Sequence, residues 1–325
     1  MSDRKEISRV VFESCMKVSP GEKVLILTDR NKMHLAQSLY DYGKTITNTV
    51  LRLIPVSRFD GDELRHEDEE FCSGFDVIIA PTSMSVSHTS AMVKARRKGA
   101  RVATMPGITD EIFDTALRID YDTLSRKTRS LQERMKGAKR ICVTTPAGTD
   151  VCFSVRGRQF YALDGCCHTS GCFVNLPDGE VMTAPVENSV NGHLVFDLSL
   201  MPDHPTSYGV VGLLGDEQVA VDVVKGQIIA ISGREKAEIF RQVIQAADRK
   251  ASTVAEFAIG TNPAARIVGN ILMDEKVAGT VHFAFGSNVS FGGKTQSNVH
   301  LDGVMAHPTV IVDGCPLIKD GVLLS

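Results

Sequence analysis

Apolar residues in the first third of the chain alternate between two textures. Lys23-VLILTD-Arg30 and Phe75-DVIIA-Pro81 are continuous apolar runs between polar or turn residues, as expected of strands buried in a parallel sheet. Thr49–Pro55 and Ala100-RVATMPG read as two more strands. Between them, 3.6-residue periodicity predicts helices over Ile7–Met16, His34–Tyr42, Asp60–Glu70 and His88–Lys98, the last stopped by Gly99. Strand–helix alternation at this pace predicts an α/β domain with an open, mostly parallel sheet.

Asp114 to Lys139 reads as one long charged helix connecting two domains. Beyond Arg140 short strands, glycines and turns dominate, with helices over Arg234–Lys250 and Ala264–Met273. This predicts domains 1–138 and 139–325, the second an α+β domain rich in antiparallel sheet that carries a metal site.

The bulk properties narrow the function classes. With 325 residues, a net charge of -3 and 23% charged residues, the chain has no basic stripe suited to nucleic acid. No apolar run approaches the roughly 20 residues of a membrane span. The N-terminus has no secretory apolar region, and the eight cysteines follow no regular framework. Those in RICVTTP and DVCFSV read as free thiols acting as small hydrophobes, which points to a reducing cytoplasm. No strand is followed by Gly-x-Gly-x-x-Gly or Gly-Lys-Ser/Thr, so dinucleotide and P-loop readings lack support.

The chemistry concentrates in four segments of the second half: NLPDGEVMTAP with Glu180, AEFAIGTNP with Glu256, VHFAFG with His282, and HLDG with His300 and Asp302. Residues two apart on a strand share a face, so His300 and Asp302 can grip one ion together. Imidazole and carboxylate donors suit zinc, manganese, cobalt or ferrous iron. Two glutamates, two histidines and an aspartate exceed the needs of a structural zinc and suit a dinuclear site, since a carboxylate can bridge two ions.

Together with SVSHTS and ATMPGIT, these motifs resemble the M29 family of metallo-aminopeptidases, the aminopeptidase T type, over nearly the whole chain. The resemblance implies Glu180, Glu256, His282, His300 and Asp302 as ligands of two divalent ions (zinc, cobalt or manganese), with Glu256 bridging. It further implies a homodimer that removes N-terminal residues from small peptides, with Glu180 and Glu256 at the catalytic centre. Two departures bear on the pocket. Val289 stands where the family's peptidases carry a tyrosine, seven residues after the histidine, and the segment from His282 to His300 is short. The same superfamily has a ring-opening branch similar to 2,5-dihydroxypyridine 5,6-dioxygenase. That branch uses one ferrous ion and a histidine of the N-terminal domain, for which His88 is the counterpart as acid or base.

The remaining candidates read more plainly. Cys166, Cys167, His168 and Cys172 lack the paired arms of a zinc site and read as packing or pocket lining. His193 reads as a hairpin residue, and Asp274-Glu275-Lys276 as a solvated turn after a helix.

Overall fold

A computed structural model describes residues 2–324. The chain divides into two compact units. One comprises Met1–Arg126 and Leu163–Asp178; the other comprises Lys127–Ala162 and Gly179–Ser325. This division differs from a single cut near residue 138, because the chain returns to the first unit after entering the second.

The first unit is built on a five-stranded parallel sheet. Its strands lie in the order Asn48–Ile54, Lys23–Asp29, Val77–Thr82, Arg101–Pro106 and Phe173–Asn175. The four expected strands are present. The fifth is supplied by the returning segment, whose three residues are too few to show a period. Leu25, Leu27, Ile78, Ala80 and Val102 form a core with Ala91, Met92 and Ala95 of helix Ser90–Arg97. That helix stops before Gly99, whose φ of +104° suits only glycine.

Two helices differ from expectation. The acidic stretch from Asp60 becomes helical only at His66–Cys72, because its first carboxylates serve a turn. Asp62 binds Arg58, and Asp60 accepts from the Ser85 amide at 2.7 Å. The long connector is two helices, Asp110–Thr115 and Tyr121–Met135. Asp120 separates them by accepting from the amides of Asp122 and Thr123, which starts the second helix.

The second unit holds two antiparallel sheets, one of eight strands and one of seven. They share one hydrophobic core. Ile141, Phe153, Leu194, Val221 and Val310 come from the larger sheet; Val181, Phe257, Ile259, Phe283 and Met305 come from the smaller. Phe257, Phe283 and Phe153 form its aromatic centre, with ring centroids 5.2–5.6 Å apart. Helix Glu235–Ala246 packs Ala237 and Phe240 into the same core. The helix expected over Ala264–Met273 is only Ile271–Asp274, since the Asn262 side chain holds the Ala264 and Ala265 amides in a turn.

The cysteines also depart from the free-thiol reading. Cys142 and Cys152 are directly opposed on adjacent antiparallel strands and form a disulfide, and Cys167 pairs with Cys172. Cys15, Cys72 and Cys315 are free thiols. Among the described residues, no helix is long and apolar enough to cross a membrane.

Candidate metal centre

The seven-stranded sheet sorts its side chains by parity. Along Val281–Gly286, Val281, Phe283 and Phe285 enter the shared core, so His282 and Ala284 stand on the opposite face. Along His300–Met305, Leu301 and Met305 are core residues, while His300 and Asp302 take the other face. A register shift between Val254 and Glu256 puts Glu256 and Ala258 on that face too, between core residues Val254, Phe257 and Ile259. Glu180 begins the fourth strand on the same face as these residues, next to core residue Val181.

Strand register then sets the neighbours. Glu256, Ala284 and Asp302 lie in one row across three strands; His282 pairs with Ala258, and Glu180 with Gly260. Each ligand-type side chain therefore borders alanine or glycine, which leaves space above the sheet between them.

The five side chains converge in that space. His282 Nε2 lies 3.4 Å from both Glu180 Oε2 and Glu256 Oε1. His300 Nε2 lies 3.2 Å from Glu256 Oε2 and 3.3 Å from Asp302 Oδ1. Two ligand-type groups result, Glu180–Glu256–His282 and Glu256–His300–Asp302, with Glu256 common to both. All are buried except His300, whose side chain is one-third exposed.

These donors fit a divalent cation. Glu180 Oε2 and both nitrogens of His282 are buried without a hydrogen-bond partner, an arrangement that is costly in an interior unless something binds there. His300 is oriented towards the same cluster. Its Nδ1–H donates to the Ser287 carbonyl at 2.8 Å, which leaves the Nε2 lone pair facing the cluster in the neutral ring. Without a cation the carboxylates and imidazoles hold one another charged. Burial alone would discharge His282, but Glu256 and Glu180 raise its pKa to about 9. Burial likewise opposes ionisation of Glu256, yet His282 and His300 hold its pKa down at about 2.

The sequence reading missed Glu275 and Lys276, and the solvated turn expected there is instead interior. Lys276 is 2% exposed, and its Nζ lies 2.7 Å from Glu180 Oε1 and 2.6 Å from Glu275 Oε1. Glu275 forms a third ligand-type group with His282 and Asp302. Burial pushes the Glu275 carboxyl up to about 8; Lys276 opposes the rise, while Glu180 and Asp302 add to it. Asp274 is buried as well and accepts from the amides of Val268 and Gly269. A triplet of charges after a short apolar run carries no mark of burial. Gly260 is what brings it inside: a Cβ there would lie 2.1 Å from the Val277 carbonyl, so the backbone crosses where a side chain would stand.

The other residues singled out by sequence lie elsewhere. His88 is in the first unit, its ring 6.0 Å from that of Phe173. Val289 is half exposed in a 3-10 turn, and Phe291 of that turn packs edge-on against His300. His193 is in strand Asn191–Phe196, bonded to Asp222, rather than in a hairpin turn. His168 donates to the Ser14 carbonyl, and Cys167 beside it is in a disulfide.

The fold matches two solved structures along their length. The structure of 2,5-dihydroxypyridine dioxygenase from Pseudomonas putida KT2440 aligns with a TM-score of 0.83 at 17% identity. The alignment covers 100% of this chain and 97% of that one. Wild-type AmpT from Thermus thermophilus aligns with a TM-score of 0.69 at 15% identity, over 100% and 99% of the two chains. A search of curated protein sequences found no match. The sequence matches the family described as NicX, 2,5-dihydroxypyridine 5,6-dioxygenase, over residues 4–325. The chain belongs to that enzyme family, and it shares its fold with both solved structures.

Proposed function

We propose that the protein is a metal-dependent dioxygenase that opens a hydroxylated pyridine-type ring, using one ferrous ion held by His282, His300 and Asp302 beside Glu256. The observation that carries this reading is the convergence of both imidazole Nε2 atoms on Glu256, with Asp302 3.3 Å from His300. Two histidines and a carboxylate are the donor set of non-haem Fe(II) oxygenases, which keep positions open for oxygen and substrate. Membership of the dioxygenase family supports the same choice. Bound there, ferrous iron would supply one-electron chemistry towards O₂ and an anchor for a ring hydroxyl.

The protein's own groups prepare that site. The Ser287 carbonyl fixes the His300 tautomer, and Glu256 balances charge next to both rings. Glu275 keeps a proton near neutral pH, which suits a donor to a leaving or developing oxyanion. His88 is proposed as a further acid–base group on the family resemblance alone. His88→Ala would then lower kcat without changing iron content.

A second reading is a hydrolase with two zinc, cobalt or manganese ions, releasing N-terminal residues from peptides. It is favoured by Glu256 being common to two ligand-type groups, as a bridging carboxylate would be. Elemental analysis of anaerobically prepared protein, with oxygen uptake on 2,5-dihydroxypyridine and peptide release assayed in parallel, separates the two. One iron per chain with oxygen uptake supports the dioxygenase. Two ions per chain with peptide release and no oxygen uptake would replace it with the hydrolase.

A further inference from the structure

Lys276 brings an ammonium group to the edge of a carboxylate cluster that is itself suited to cations. Glu180 divides its two oxygens between two neighbours. Oε1 accepts from Lys276 Nζ at 2.7 Å, while the buried, unpartnered Oε2 lies 3.4 Å from His282 Nε2. Glu275 also reaches in two directions, to Lys276 Nζ at 2.6 Å and towards His282 and Asp302 in their common ligand-type group. The ammonium thus stands beside the carboxylates that a second divalent ion would need.

The backbone holds it there. Lys276 N–H donates to the Met273 carbonyl, and the Lys276 carbonyl accepts from the Asn262 amide at 2.8 Å. The Ala278 amide returns a bond to the Asn262 carbonyl at 3.0 Å. Gly260, paired with Glu180 in the sheet, lets this segment pass close overhead. A lysine this buried is tolerated only with paired and hydrogen-bonded carboxylates, and an ammonium repels any divalent ion seated next to it.

We propose that Lys276 is the centre's own second cation: its ammonium neutralises Glu180, lies against Glu275 and limits the buried carboxyl groups to a single divalent ion. Lys276 is a positioning residue that sets how many ions bind. The inference rests on the metal centre proposed above and is independent of the reaction it serves.

Titration of metal-free protein with cobalt(II) alone tests it, followed by visible absorption and by elemental analysis after gel filtration. The wild type is expected to take up one cobalt per chain, Lys276→Met two, and the charge-preserving Lys276→Arg one. Two cobalt ions in the wild type, or one in a folded Lys276→Met variant, overturns the role of Lys276 while leaving the metal centre intact. No cobalt in the wild type instead removes the metal centre itself. If Lys276→Met does not fold, the wild-type titration decides: a second equivalent overturns the proposal, and saturation at one supports it.

Discussion

Glu256 and His300 sit on strands separated by a third, yet Glu256 Oε2 lies 3.2 Å from His300 Nε2. On the intervening strand Glu256 is paired with Ala284 and His300 with Gly286, so neither neighbour carries more than a methyl group. The centre depends on this meeting, because Glu256 also contacts His282.

Glu256→Ala is therefore expected to weaken metal binding by more than about 100-fold, beyond the roughly 10–100-fold typical for losing an outer-shell partner. Equilibrium dialysis followed by elemental analysis reads this directly. Wild-type affinity in the variant would remove Glu256 from the centre.

Removing the metal should make stability depend on pH in a defined way. The folded-state pKa of His282 is raised from 6.5 to about 9, so its stabilisation is complete below pH 6.5 and is lost as pH rises through about 9. Glu256 is lowered from 4.5 to about 2, so its contribution is present above pH 4.5 and is lost as pH falls through about 2. Metal binding must displace imidazole protons and so strengthens as pH rises. Between about pH 6.5 and 9 the metal-free unfolding midpoint should fall while metal affinity climbs. Parallel rises in both would contradict the protonated state assigned to His282.

Ala284→Val tests the space between the ligands. The added methyl groups would stand between Glu256 and Asp302 at a fully buried position. The expected cost is about 1–3 kcal/mol, as for other overpacked interiors, together with reduced metal occupancy. Chemical denaturation and metal analysis of the same preparation measure both. Full occupancy would mean the ion does not lie above Ala284.

Phe257→Ala tests the other face of the same strand. Phe257 packs against Phe153 and Phe283 at 5.2 Å, so truncation should cost about 3–5 kcal/mol. Metal content per folded chain should stay at the wild-type level. Loss of metal without loss of stability would show that the two faces are coupled.

Much of the first unit was legible because buried parallel strands write themselves as continuous apolar runs, as in Val24–Leu27 and Val77–Ala80. The strand from Phe173 was not, since three residues carry no period. At the site, the two-residue spacing of His300 and Asp302 predicted a common face, and the strand His300–Met305 provides it. The approach of Glu180 and Glu256 to those residues depends on strand order and on the register shift after Val254, which no local pattern records. Family resemblance supplied that grouping as an expectation. It did not supply Lys276, whose burial follows from Gly260 and the path of the backbone above it.

The odd–even sorting of side chains on strands Val254–Gly260, Val281–Gly286 and His300–Met305 has an evolutionary consequence. Residues that hold the sheet together and residues that face the centre alternate on the same strands, so one set can vary without the other. Substitutions at Glu256, His282 or Asp302 fall on one face of the sheet, while the phenylalanines on the other face keep the scaffold standing. The donor set can thus be exchanged without the interior having to be rebuilt.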